Sequence, residues 1–257
     1  MKKSGVTIES GRYFLTDRIR GEVDFSTTAQ SRGETPPPVQ KGVPEGAMIV
    51  PLPSRHEWRV PPCDLLSAIG NRQSRRKYTD DPLSLAELSL LLWATQGVRA
   101  EMGATVLRTI PSAGCRHPFE TYIAALNVAG LGPAIYRYLP LDHALVVVNK
   151  PPNLRFSLAA GAHGQRFVAQ AAACFIWTAI PDRTEWRYGE ASHKVIALDA
   201  GHVCQNLYLA CEAIRAGTCA VAAYRQDLMD ELVGVDGYGE FTIYLAPVGK
   251  VEEVKGW

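Results

Sequence analysis

The stretch NRQSRRKYTDDPLSLAELSLLLWATQGV, residues 71–98, joins four clustered cations to a well-marked helix. Ser84 and Glu87 have the spacing of a capping box, in which each side chain accepts a hydrogen bond from the other residue's backbone N–H. The apolar run continues through Trp93, and Gly97 provides the stop signal that commonly follows a helix. The stretch therefore predicts a helix immediately after a basic segment.

The basic segment stands out because the chain as a whole is almost neutral. Its 257 residues include 27 Lys and Arg against 26 Asp and Glu, a formal charge of +1. Such balance argues against a general polyanion-binding surface, so any anion site must be local. Arg72, Ser74 and Arg76 alternate, and an extended backbone would direct them to one side, as a phosphate monoester requires. The alternative is a solvated helix end, where the helix dipole favours cations.

The remaining patterns predict one α+β domain. A short helix is expected in PPCDLLSAIGNR, residues 61–72, because Pro62 precedes its apolar positions. The longest helix is predicted over about residues 190–216, ending at Gly217, because apolar residues recur there at spacings of three and four. Strands are predicted in ETYIAALNV (120–128) and AIYRYLP (134–140), which form a hairpin, and in ALVVVN (144–149), CFIWTAI (174–180) and FTIYLAPVG (241–249).

Residues 1–62 have a different composition from the rest. They contain eight of the 17 prolines and show little helical or alternating pattern. Proline-rich sequence resists packing into its own core. We therefore predict an extended arm over residues 1–62 that lies on another surface, followed by one domain over residues 63–257.

Cysteine spacing and hydropathy indicate a cytoplasmic protein. The six cysteines show no CxxC pair and no zinc-type spacing, so they are expected to be reduced, mostly buried thiols, and no metal site is expected. The N-terminus has no apolar run behind its lysines, and no stretch approaches 18 uninterrupted apolar residues. We therefore expect no membrane segment.

The segment PSAGCRHPFETYI, residues 111–123, combines a small-residue turn with the start of a strand. Ser112, Gly114 and Arg116 could approach a flat ligand closely, because glycine leaves the backbone accessible. The alternative is an ordinary turn before a strand.

Five segments, taken in order, resemble the FMN-dependent nitroreductase family, specifically the SagB-type dehydrogenase branch that includes the azoline oxidases. They are SRRKYTDDPLSLAELSLLLWATQGV, PSAGCRHPFETYI, AIYRY, GHVCQNLYLACEAIRAGT and IYLAPVGK. The likeness covers about residues 48–250. It implies a nitroreductase-like α+β fold with a central, mostly antiparallel sheet flanked by helices. It also implies an intertwined homodimer with two FMN sites at the subunit interface, where the proline-rich arm would wrap the partner.

The resemblance also implies which residues hold the flavin. Arg72, Ser74 and Arg76 would grip the FMN phosphate, with Gln73 nearby and Lys250 as a further contact. The turn beside the isoalloxazine ring and ribityl chain would comprise Pro111, Ser112, Gly114 and Arg116. In TCAVAAY, residues 218–224, the backbone N–H of Ala222 or Ala223 would face flavin N5.

The segment TEWRYGE, residues 184–190, resembles the place where azoline oxidases carry a Lys-Tyr pair. Arg187 and Tyr188 stand there instead. Arginine does not readily release a proton, so Tyr188 is the better candidate for catalytic proton transfer and Arg187 for substrate anchoring. The alternative is a surface charge cluster with no catalytic part.

The resulting prediction is an FMN oxidoreductase that takes hydride from NAD(P)H and passes it to a small oxidised substrate by a ping-pong mechanism. A second reading is oxidation of azoline-type peptide heterocycles. A third is a flavin-binding partner subunit without turnover of its own. Binding of RNA or of an acidic protein is opposed by the neutral charge and by the lack of aromatic residues among the basic ones.

Overall fold

A computed structural model of the chain describes residues 5–252. Residues 1–4 of the predicted arm and residues 253–257 of the predicted domain lie outside the described residues. The helices are α1 (Ile8–Leu15), α2 (Leu65–Asn71), α3 (Leu85–Gln96), α4 (Leu154–Gly161), α5 (Arg166–Gln170), α6 (Asp182–Tyr188), α7 (Ser192–Ala213) and α8 (Gln226–Val233). The strands are β1 (Ile49–Pro51), β2 (Val98–Met102), β3 (Thr105–Arg108), β4 (Phe119–Ala125), β5 (Ala134–Leu139), β6 (Ala144–Asn149), β7 (Ala173–Ala179), β8 (Ala216–Thr218) and β9 (Phe241–Lys250).

Seven strands form one antiparallel sheet in the order β1-β6-β5-β4-β7-β9-β8, and β2 pairs with β3 as a separate hairpin. Both faces of the sheet are covered. On β4, Ile123 packs in the same cluster as α3 and α7, whereas its neighbour Tyr122 packs with α4 and α8. Burial on both faces explains why the interior strands read as continuous apolar runs. The predicted α+β fold, with helices flanking a central antiparallel sheet, is confirmed.

Local sequence signals account for the predicted hairpin and for α3. The β4–β5 hairpin forms in the expected place, with Ile123 opposite Tyr136. The Ser84–Glu87 capping box begins α3, and Gly97 is its C-terminal cap residue. No helix among residues 5–252 combines the length and apolar character that a membrane crossing requires.

The predicted end of the longest helix is wrong. Helix α7 ends at Ala213, and Arg215 takes the left-handed conformation with φ 51°. Gly217 instead lies inside strand β8, opposite Gly249 of β9. Its position is fixed by close packing against the basic segment rather than by helix termination.

The N-terminal segment differs from the predicted extended arm in two respects. Residues 8–15 form α1, which begins with a Thr7–Ser10 capping box, and residues 49–51 add β1 to the edge of the chain's own sheet. Buried arginines hold the intervening backbone: Arg108 Nη2 donates to Val39 O at 2.6 Å, and Arg137 donates to the carbonyls of residues 41 and 42. The prolines thus belong to a strap along the chain's own domain.

A buried ion cluster joins the strap, the sheet and α6. The Glu120 carboxylate on β4 accepts hydrogen bonds from Arg183 at 2.5 Å, from Arg137 at 3.2 Å and from the Lys41 backbone N–H at 3.0 Å. Each of the three charged side chains is at most 3% exposed. Removing a buried charge would leave its partners uncompensated.

We expect Glu120→Gln to lower the free energy of unfolding by about 3–5 kcal/mol, because two buried guanidinium groups would lose their shared counter-charge. Urea unfolding followed by circular dichroism measures the change. Glu101→Gln, at an exposed position of β2, is the matched control and should change stability little. A loss below about 1 kcal/mol in Glu120→Gln would show that the cluster does not hold these elements together.

Candidate functional site

The basic segment lies across strands β8 and β9. The Arg75 N–H donates to Thr218 O at 2.9 Å, and the Thr79 N–H donates to the carbonyl of residue 250 at 2.9 Å. A Cβ at Gly217 would stand 2.6 Å from Arg75 Cδ, and one at Gly249 would stand 2.8 Å from the ring of Tyr78. The paired glycines therefore let the segment rest directly on the sheet.

The guanidinium groups of this segment have no acidic partner at hydrogen-bond distance among residues 5–252. Arg72 lies over the Tyr208 ring at 5.3 Å, and Arg76 lies over the Phe167 ring at 5.8 Å. Gln73 is exposed and, with Arg76, lines an open cavity of about 580 Å³. Stacking on aromatic rings orients a guanidinium group while leaving its N–H donors available.

The Tyr208 hydroxyl joins two of the predicted flavin segments. It lies 2.9 Å from Ser74 Oγ and accepts a hydrogen bond from the Ala220 N–H at 2.9 Å. Beyond Ala220, Ala222 and Ala223 are exposed, and no described residue accepts their backbone N–H groups. The structure thus brings Arg72, Ser74 and the loop of residues 220–223 to one place and leaves donors open there.

The predicted turn forms a second group of site residues. Ser112 Oγ donates to Asp199 Oδ2 on α7 at 2.6 Å, and the same carboxylate oxygen accepts from the Ala113 N–H at 3.1 Å. Burial raises the pKa of Asp199, and the hydrogen bonds from Ser112 and Ala113 oppose that rise. Pro111 is exposed at the start of the turn, and Gly114 follows with φ 57°. The Asp199 carboxylate therefore holds the turn to α7, while the outer part of the turn stays exposed to solvent.

Arg187 and Tyr188, at the end of α6, lie against this turn. A Cβ at Gly114 would stand 2.7 Å from the Tyr188 hydroxyl and 2.8 Å from Arg187 Cδ. Glycine suits this position because it has no Cβ to strain the positive φ or to meet these two side chains. The structure thus brings together the predicted turn and the predicted Arg-Tyr pair, since Gly114 and Tyr188 are 74 positions apart in the sequence.

Arg116 links the same turn to α6. Its Nε donates to Arg183 O at 2.8 Å, its guanidinium carbon lies 4.6 Å from the centre of the Trp186 ring, and its Nη2 is buried without a hydrogen-bond partner. Burial, followed by the nearby charge of Arg187, lowers the pKa of Arg116. The side chain is 5% exposed.

The structure thus places Arg72, Ser74 and the loop of residues 220–223 in one group along α7, and the turn with Arg187 and Tyr188 in a second. Arg76, which lies over the Phe167 ring of α5, and Lys250 belong to neither group. Asp199 and Tyr208 anchor the groups nine residues apart, about 13.5 Å along the helix axis. The Lys250 ammonium donates to the Glu87 carboxylate and to Ile214 O. Lys250 therefore fastens the end of β9 to α3 and α7.

Sequence reasoning missed the two anchors on α7. Asp199 is a carboxylate within an otherwise apolar and small-residue run, ALDAG, and that contrast was the one available signal. No sequence feature marked Tyr208 as a site residue, because its ring fits the apolar pattern of the helix. Only its hydroxyl connects Ser74 to Ala220. Among residues 5–252, no group of three or more His, Cys, Asp or Glu residues is placed to hold a metal ion.

Comparison with known proteins shows which family the chain resembles. The sequence profile of the nitroreductase family matches residues 69–250. A nitroreductase-type protein of Methanocaldococcus jannaschii is 34% identical over 179 residues, 70% of this chain and 87% of that protein. The trifolitoxin-processing protein of Rhizobium leguminosarum is 24% identical over 145 residues, 54% of this chain and 38% of that protein.

A solved structure of a nitroreductase-type protein from Anabaena variabilis has a TM-score of 0.62 and 26% identity. The match covers 74% of this chain and 38% of that chain. The chain thus spans under two fifths of that Anabaena protein and of the Rhizobium relative. The fold and the family match define an α+β oxidoreductase of the nitroreductase type. The chain belongs to the nitroreductase family.

We expect Gly217→Ala to destabilise the protein by about 1–3 kcal/mol, because the new methyl group would collide with Arg75 in a packed region. Gly201→Ala is the matched control: it lies in α7 with open space around the added Cβ. The control should stabilise the helix by about 0.5–1 kcal/mol. Urea midpoints measure both, and equal midpoints for the two variants would contradict the close approach at Gly217.

Proposed function

We propose that this chain is an FMN-dependent oxidoreductase that takes hydride from NAD(P)H and reduces a small oxidised substrate by a ping-pong mechanism. When bound, the flavin would accept and donate hydride at N5. The observation that carries the proposal is the Tyr208 hydroxyl, which joins Ser74 to the backbone of Ala220. It brings the basic segment and the loop of residues 220–223 together, and these two segments are the ones that the family resemblance assigns to the phosphate and to N5.

The residues present fit a phosphate dianion. Arg72 and Arg76 make no ion pair or side-chain hydrogen bond among the described residues, and Arg75 Nε is buried without a partner. Charged donors left open next to a hydroxyl form the kind of cradle that recognises phosphate. We propose that Arg72, Ser74 and Arg76 hold it, with Gln73 beside them. Lys250 is already engaged by Glu87 and Ile214 O, so we leave it out of the phosphate site.

We further propose that a second copy of the chain completes the site. Helix α2 ends at residue 71, immediately before the basic segment, and its apolar side chains face outward. Leu65, Leu66 and Ile69 are 61%, 78% and 53% exposed. Burying this face against another subunit would place the subunit boundary next to the phosphate site.

The chain's own residues would have distinct roles around the ring. The open N–H of Ala222 or Ala223 would donate a hydrogen bond toward N5. Arg116, which lies in the turn proposed to stand beside the ring, would favour negative charge on the reduced flavin. A fixed cation in a low-dielectric site stabilises developing anions. Tyr188 would transfer a proton and Arg187 would anchor the substrate. We also propose a cytoplasmic location, since the six cysteines are free in the described chain.

Replacing both outer arginines, Arg72→Ala with Arg76→Ala, should weaken FMN binding about a hundredfold, because each charge-assisted hydrogen bond contributes roughly tenfold or more. Flavin absorbance after gel filtration measures the bound fraction, and the elution volume reports whether the assembly is unchanged. Lys77→Ala, an exposed cation in the same segment, should retain flavin. Stoichiometric FMN in the double variant would place the phosphate elsewhere.

A second candidate function is oxidation of azoline-type heterocycles in peptides. It is favoured by the trifolitoxin-processing relative and by the position of Tyr188 against Gly114. Arg187 counts against it, because arginine is a poor catalytic base where the azoline oxidases carry lysine.

Two measurements separate these functions. A nitroreductase-type enzyme should consume NADH or NADPH rapidly and give parallel double-reciprocal plots, because both substrates use one flavin face in turn. An azoline-bearing peptide should lose no hydrogens under the same conditions. Intersecting plots would contradict the ping-pong mechanism, and a loss of two hydrogens from the peptide would favour the second function. A yellow protein whose flavin neither nicotinamide reduces would indicate a subunit without turnover.

A further inference from the structure

We infer that the substrate of this enzyme carries a carboxylate group, which the Arg187 guanidinium binds beside Arg116 and the Tyr188 hydroxyl. The inference rests on the proposed function, in which Arg187 and Tyr188 face the substrate. It adds the chemical class of the substrate, and it is carried by the distribution of charge around the turn of residues 112–117.

Two cations are held close together in this region. Arg116 is 5% exposed and stacks on Trp186 of α6. Arg187, which is also on α6, packs against Gly114 in the same turn as Arg116. The effect of Arg187 on the titration of Arg116 agrees with this proximity, because a like charge disfavours the protonated form and lowers its pKa. Holding like charges together costs free energy unless an anion joins them.

No protein carboxylate forms an ion pair with these two cations among residues 5–252. Glu120, the buried carboxylate nearby, is already bonded to Arg137 and Arg183. Glu185 on α6 pairs with His193 instead. Asp199 accepts hydrogen bonds from Ser112 and Ala113 and lies 3.7 Å from His202. Asp182 and Glu190 line a cavity together with residues of the N-terminal strap.

The donors that remain suit a carboxylate. Arg116 Nη2 is buried and has no hydrogen-bond partner, which is costly for a charged group. Arg187 is exposed, and within the described part of the chain it stacks only on the Tyr188 ring, at 5.6 Å. A guanidinium fork and a phenol hydroxyl at one glycine can donate to both oxygens of a planar carboxylate. In this arrangement Arg187 makes the contact, and Arg116 supplies positive potential behind it.

A competing explanation is that these cations serve the reduced flavin alone. The two explanations differ in what Arg187 controls. If Arg187 binds substrate, its removal changes the affinity for carboxylates and leaves the flavin midpoint potential in place. If it serves the flavin, its removal shifts the midpoint potential and leaves carboxylate affinity unchanged.

The test uses benzoate and benzamide, which have the same shape and differ in charge. Isothermal titration calorimetry on the purified full-length protein should give a Kd for benzoate about tenfold or more below that for benzamide, the lower end of what a charge-assisted hydrogen bond contributes. In Arg187→Gln the two Kd values should become equal. Arg12→Gln, at an exposed arginine of α1, is the matched control and should keep the wild-type preference.

The outcomes separate this inference from the proposed function. Equal Kd values for the two ligands in a yellow protein that NADH or NADPH reduces would overturn the carboxylate assignment alone. An unchanged benzoate preference in Arg187→Gln, together with a shifted flavin midpoint potential, would overturn it in favour of the flavin role. A preference lost in Arg187→Gln and kept in Arg12→Gln supports it. A colourless protein that does not take up FMN would instead overturn the proposed function.

Discussion

The buried Glu120 carboxylate is the constraint on which the arrangement of this chain depends. It lies on the central strand β4 and accepts hydrogen bonds from β5 through Arg137, from α6 through Arg183 and from the strap at Lys41. A carboxylate in a low-dielectric interior must be compensated, and so must each buried guanidinium group. The observed packing of β5, α6 and the strap around Glu120 satisfies the carboxylate and both buried guanidinium groups at once. That packing sets where α6, and with it the Arg187–Tyr188 pair, meets the rest of the chain.

Helix α7 then sets the spacing of the site. Its Asp199 carboxylate fixes the turn that begins at Ser112, and its Tyr208 hydroxyl fixes the basic segment and the loop after β8. An α-helix is stiff on this scale, so the two anchors hold the two groups at a defined separation. Both anchors use polar atoms on a helix that is otherwise held by apolar packing. Apolar contacts position the helix, and the two polar atoms position the site.

At two places in the site, a glycine lets another segment of the chain pack directly against the backbone. At Gly217 the absent side chain lets the basic segment lie on the sheet, and at Gly114 it lets Arg187 and Tyr188 rest on the turn. In each case a side chain would occupy the space where another functional residue packs. In the described part of the chain, these arginines lie on aromatic rings and on bare backbone and form no ion pair with a carboxylate. Such cations keep their hydrogen-bond donors for an anionic ligand, which unites the phosphate proposal and the carboxylate inference.

The sequence by itself determined the features that arise within a few residues. The capping box that begins α3 and the β4–β5 hairpin follow from local hydrogen bonding and periodicity. Only the tertiary structure decided which distant residues meet. Ser112 and Asp199 are 87 positions apart, and Ser74 and Tyr208 are 134 apart. The same limit explains the error at Gly217, whose sequence context fits a helix stop although its actual constraint is the approach of Arg75. Contacts across such separations are set by sheet register and helix packing, and no short pattern carries that information.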